Sequence, residues 1–146
     1  MTGFLIGTLD MLGAVIAYQA NPIQIFKFIA SGAFGAGSAF SGGPIMVVWG
    51  IAFHYSIAFV WSIVFFFVYP LVPMLCKSRF ITGALYGIFI WLVMNMIVIP
   101  LSAIPANPFN VSSAAIGASI LILAVGLPIA ILTHRYYSRS GILPER

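Results

Sequence analysis

The sequence predicts an all-α membrane protein: a bundle of four transmembrane helices, with an additional short interfacial or re-entrant helix between the first and second spans. Three observations carry this. Of 146 residues, 62% are hydrophobic and 5% are charged, against roughly 25% charged in a soluble domain. So few charges cannot coat a water-facing surface. Four apolar runs are long enough to cross the hydrocarbon core of a bilayer, and the cations flanking them gather on one side. The length suits a single membrane domain, 1–146, with spans at about 3–19, 44–69, 80–102 and 112–136.

The first run, Gly3 to Gln19, is on the order of 26 Å long at helical rise. It lacks a basic start and carries Asp10 in its middle, so it reads as a membrane helix and not as a cleaved signal peptide. Asn21-Pro22 ends it, because proline disfavours helix in the residue before it. The same pair serves as N-cap and first helical position of the next helix.

Residues 22–43 are the least conventional stretch. A short amphipathic helix from Ile23 to about Phe34 would dip Ile25, Phe26, Phe28 and Ile29 into lipid and leave Gln24 and Lys27 toward water. Behind it the chain is small and rich in glycine. Two readings stand open: an interfacial helix with a flexible connector, or a re-entrant segment built on Gly32, Gly35, Gly37, Ser38, Ser41, Gly42 and Gly43. The second requires protein or a water-filled cavity to satisfy its backbone. The glycines lack the spacing and preceding strand of a phosphate loop.

The second span opens with Pro44 at its first turn. The third runs from Phe80, and Pro128 is expected to kink or break a hydrogen bond in the fourth. Four spans place both termini and the connector 70–79 together, so Lys77, Arg79, Arg135, Arg139 and Arg146 share a side and Lys27 stands alone opposite. The positive-inside rule makes the richer side cytoplasmic. Tyr18, Trp49 and Phe109 outside, and Tyr69, Tyr136 and Tyr137 inside, suit the interfacial belts. Small residues four apart in every span, such as Gly3 with Gly7 and Gly83 with Gly87, predict close helix contacts and leave faces for a homo-oligomer or a larger membrane complex.

Ionisable groups inside a bilayer are costly and tend to face the bundle interior. Asp10 is the only acid in any span, and His54, Asn95 and Tyr86 are the other polar candidates. Counting residues from the span ends puts His54 and Asn95 near one depth and Asp10 nearer Tyr86; a shift of two turns would bring Asp10 to His54 instead. Interhelical hydrogen bonds that fix register and a proton- or ion-linked site are the two readings of this set. A haem or pigment held by His54 is a third, with His134 placed among the headgroups beside Arg135.

No catalytic or metal site is expected. The nucleophile-elbow and zinc-helix motifs are absent, the carboxylates Asp10 and Glu145 lie at opposite ends of the chain, and the one cysteine, Cys76, cannot form an internal disulfide. No cofactor is implied by the residues alone, and the scattered cations form no nucleic-acid patch. The expectation is therefore a non-enzymatic membrane protein with a structural or accessory role. The alternative is a small transporter or channel-like protein using Asp10, His54 and Asn95.

Several stretches carry a resemblance: Gly7-Thr8-Leu9-Asp10, Phe28 to Gly35, Ala39 to Gly43, Trp49 to Tyr55 and Tyr86 to Asn95. They resemble small four-span bacterial inner-membrane proteins of unknown function, the YagU-like group. The resemblance implies a four-span protein of the bacterial inner membrane. It also implies that Asp10, the glycine-rich segment, His54 and Asn95 belong to a shared pattern, and it brings no activity.

Overall fold

The computed structural model describes residues 2–72, 78–105 and 110–140. Expectations that fell on Cys76, Lys77, Phe109, Glu145 and Arg146 lie outside the described residues. The described chain forms five apolar helices: α1 (Thr2–Tyr18), α2 (Pro22–Ser41), α3 (Pro44–Val68), α4 (Arg79–Leu101) and α5 (Val111–Arg139). Four of them, α2 to α5 with α3 extended to Leu71, are long and apolar enough to cross a membrane, and α1 is a shorter apolar helix of 17 residues. This set differs from the expected spans, which counted α1 and left the stretch of α2 as a short segment.

Local chemistry starts these helices where the sequence places the signals. The Asn21 Oδ1 accepts the Ile23 N–H at 2.9 Å with Pro22 at the first position. Asn110 Oδ1 accepts the Ser113 N–H at 3.1 Å, and Ser78 Oγ accepts the Ile81 N–H at 3.5 Å. Each satisfies an orphan donor of the first turn.

The expected disturbance at Pro128 takes a specific form. Leu121–Gly126 is a π turn, in which the Leu127 N–H reaches back to Ile122 O. Pro100 has the same device upstream, at Met94–Val98, where the Ile99 N–H reaches Met94 O. Proline has no N–H to give and its ring clashes with the carbonyl four residues earlier. A locally widened turn keeps the helix running past it.

α1 runs antiparallel to both α3 and α5. Gly3 faces the Phe59 ring, while Gly7 faces Tyr55 and Ala58. Gly13 faces Ile120 and Ala124, and the Tyr18 hydroxyl donates to Ser113 O at 3.5 Å. The Tyr18 end of α1 therefore lies with the Pro44 end of α3 and the Val111 end of α5. The expected Gly3/Gly7 face is real, but α1 begins beside Phe59 and not at the far end of α3. That sets it about 13 Å, roughly two and a half turns, toward the Pro44 end.

α2 leaves and returns at this same end, since Asn21 follows α1 and Gly43 precedes α3. A straight helix of that length would extend about 30 Å. Instead Gly35, at φ 76° and ψ 155°, breaks it into two limbs; only glycine takes this conformation without strain. Lys27 Nζ donates to Phe40 O at 3.0 Å, clasping one limb to the other; along an unbroken helix those residues would be about 20 Å apart. The first limb packs where Gly50 of α3 leaves no space for a Cβ against the Phe26 backbone. Its Gly32 O accepts the Ala103 N–H at 2.9 Å beyond α4. Ala30 and Ser31 are buried, and Phe26 and Lys27 are half-buried. Phe26 was expected in lipid and Lys27 in water; the fold-back turns both toward protein.

The core lies between α3, α4 and α5, toward the Tyr69 end. Phe65, Tyr69, Ile90, Val125, Ile129, Ala130 and Tyr137 are buried there with Ile6 of α1. Gly83 and Gly87 of α4 press directly on the backbone of α5 at Gly126, Leu121 and Ile122, the close approach that their spacing predicts.

Candidate functional site

The seam of α1 and α3 beneath the first limb of α2 holds the polar groups of greatest interest. His54 comes from α3, one turn past Gly50. Its Nε2 lies 2.8 Å from Gly7 O of α1. A carbonyl only accepts, so Nε2 carries the hydrogen and donates, and in the neutral ring Nδ1 is left as the acceptor. The glycine at position 7 lets α3 come this near: a Cβ there would stand 2.9 Å from the Tyr55 ring.

A helical carbonyl points along the axis toward the residue four positions on. The His54 ring nitrogen on Gly7 O therefore sits beside the turn that carries Asp10 and Met11. Asp10 is half-buried on α1, on the turn that follows the Gly7 carbonyl. Around them stand Phe26 of α2, its ring 6.1 Å from the imidazole and edge-on, and Tyr55 at 5.4 Å. Tyr55 stacks on Phe4 at 4.8 Å, and its hydroxyl meets the Thr8 hydroxyl at 3.0 Å.

The register of α1 decides which sequence-predicted groups meet. Counting from the span end put Asp10 nearer the level of Tyr86; the displacement of α1 carries it to the seam that holds His54. The Tyr86 hydroxyl donates elsewhere, to Trp61 O at 2.7 Å. Asn95 is exposed on α4, and its Nδ2 donates to Trp91 O of its own helix at 2.9 Å. It joins neither Asp10 nor His54 through a hydrogen bond. His134, expected among headgroups, is half-buried with Nδ1 2.8 Å from the hydroxyl of Tyr69, which is itself fully buried.

The glycine-rich candidates divide by role. Gly32 receives the α4 turn and Gly35 makes the break. Ser41 Oγ donates to Gly37 O at 2.8 Å, and the Gly42 N–H donates to Ser38 O at 2.9 Å, closing the second limb. Gly43, at φ 68°, turns the chain into α3. Sequence reasoning missed Gly50, Phe26 and the Gly7 carbonyl as parts of the site. A lone glycine within an otherwise bulky span was the available signal for Gly50; a backbone carbonyl leaves none.

Chemically, a carboxyl and an imidazole on one helix seam are groups that can each bind and release a proton. Among the described residues, no three His, Cys, Asp or Glu side chains converge on one point. No family model matches this chain, and neither a curated protein nor a solved structure does.

Proposed function

We propose that the protein is a small four-span protein of the bacterial inner membrane that passes protons or small cations, with Asp10 and His54 as the site that binds them. α1, α3, α4 and α5 are the spans in this reading, and α2 is a re-entrant segment. Both termini are cytoplasmic. What supports the topology is that α2 starts and ends at the Pro44 end, and that Arg79, Arg135 and Arg139 collect at the other. What carries the reading is that two ionisable side chains, Asp10 on α1 and His54 on α3, share one seam under the broken helix, with the His54 Nε2 on the carbonyl three residues before Asp10. An ionisable pair at membrane depth is expensive and serves as a functional site by default, and irregular backbone at that depth belongs beside buried protein or a watery path.

A second reading, a structural or accessory subunit that assembles with copies of itself or a larger complex, draws on one observation. The His54 side chain bonds the Gly7 carbonyl of the neighbouring helix, as register-fixing groups do. A haem or pigment reading would use the His54 Nδ1, since Nε2 lies on Gly7 O. The resemblance to the YagU-like group adds no activity to either reading, and no enzymatic step is proposed.

Flux in proteoliposomes separates the first two. Wild-type protein is expected to collapse an imposed proton or potassium gradient faster than empty liposomes, and Asp10→Asn and His54→Ala to lose that flux while staying folded. Wild-type flux equal to that of empty liposomes, with both variants merely less heat-stable, overturns the transport reading in favour of the structural one.

A further inference from the structure

At the opposite end of the bundle, α5 presents a stripe of side chains at helical spacing: Leu132, Arg135, Tyr136, Arg139 and Ser140, lining an open hollow of about 510 Å³. Both arginines are exposed, four residues apart and so on one face. The Tyr136 ring is braced at 5.1 Å by Phe66 of α3, and the Ser140 hydroxyl is turned back to Tyr136 O at 2.9 Å. The lining is graded along the helix, from aliphatic Leu132 through Arg135, the Tyr136 phenol and Arg139 to Ser140.

From this grading we propose that the Arg135–Arg139 face of α5 binds the phosphate of an anionic phospholipid headgroup. Charge complementarity supports it. Asp10, the sole acid among the described residues, lies on the α1–α3 seam, so neither arginine has a carboxylate partner among the described residues. A planar guanidinium pairs with phosphate through two parallel hydrogen bonds. Leu132 lies where the first methylenes of an acyl chain would run, and Tyr136 offers a hydroxyl at interfacial depth. A soluble phosphate would gain nothing from Leu132, which is why the lipid is the occupant chosen. The site is separate from the Asp10–His54 pair and does not depend on the transport reading.

The test uses the full-length protein in mild detergent, titrated with phosphatidylglycerol or phosphatidylcholine and read by native mass spectrometry. Wild type is expected to retain phosphatidylglycerol about thirtyfold more tightly than phosphatidylcholine, a factor of about 2 kcal/mol. The Arg135→Gln/Arg139→Gln variant is expected to lose the preference. Arg79→Gln, which removes a cation held over the Phe80 ring at the same end, is expected to keep it. Arg135→Lys/Arg139→Lys retains charge without the bidentate fork and serves as the folded comparison, expected to fall between. Equal retention of both lipids by wild type overturns the site. So does equal loss in Arg79→Gln, which would mean bulk charge, or a lysine variant equal to wild type. Displacement of phosphatidylglycerol by inorganic phosphate at equal concentration overturns the lipid assignment.

Discussion

Gly87→Ala adds a single methyl group at the close crossing of α4 and α5. That Cβ would stand 2.6 Å from Ile122 Cα, 2.8 Å from Ile122 N and 2.8 Å from Leu121 O. Carbon atoms rest at about 3.5–4.0 Å, so the overlap approaches 1 Å. All three atoms are backbone, and no side-chain rotation relieves them; α4 and α5 must part. Overpacking of this kind costs about 1–3 kcal/mol, and a gap of up to 1 Å forfeits about a quarter to a half of each dispersion contact along the seam. The better helix propensity of alanine returns up to about 1 kcal/mol, which leaves a net loss of up to about 2 kcal/mol when that return is full. Gly37→Ala is the matched control. Gly37 is helical with nothing within 4 Å of its added Cβ, so that change is expected to stabilise by about 0.4–1 kcal/mol. Thermal unfolding followed by circular dichroism in one detergent is the assay. Gly87→Ala should melt below wild type and Gly37→Ala at or above it. A Gly87→Ala protein that melts with Gly37→Ala refutes the crossing.

Two further perturbations address the ends of the bundle. Gly50→Ala places a Cβ into the Phe26 backbone and should lift the first limb of α2 off α3. A Ser31→Cys reporter, buried at 1% exposure in the native fold and measured in a Cys76→Ser background, should then react faster with a membrane-impermeant thiol reagent; an unchanged rate counts against the packing described. Tyr69→Phe removes the hydroxyl that meets His134 Nδ1 while keeping the buried ring, and should cost about 0.6–2 kcal/mol in the same melting assay, with no loss of stability refuting the bond.

Helix starts were legible because they are local. Asn21 satisfies a first-turn donor two residues on, and Pro22 has no N–H to satisfy; Ser78 and Asn110 cap α4 and α5 in the same local way, although the sequence reading did not single them out. The Pro128 disturbance was legible for the same reason, although its form as a π turn, and its twin before Pro100, depend on how the lost hydrogen bond is redistributed. The polar site was only half legible. Asp10 and His54 stand out as ionisable groups in apolar runs, but their place on one seam rests on the depth of α1. Counting from span ends assumes that every helix starts at the same surface, and α1 starts beside Phe59. Asn95 was grouped with them by depth alone; depth says nothing about which way a side chain faces, and Asn95 faces outward.

The sequence by itself determined the class of the molecule. A chain with so few charges must satisfy its backbone internally, and long apolar runs do so only as helices. It also determined where those helices begin and which small residues permit close approach. Only the tertiary structure decided that α1 slides past α3 until Gly7 O meets His54, and that α2 folds at Gly35 so that Lys27 reaches Phe40 O. Without a hydrophobic drive between helices, register is set by which small residue accepts which ring or backbone. That is a property of two surfaces in contact, and neither surface carries it alone.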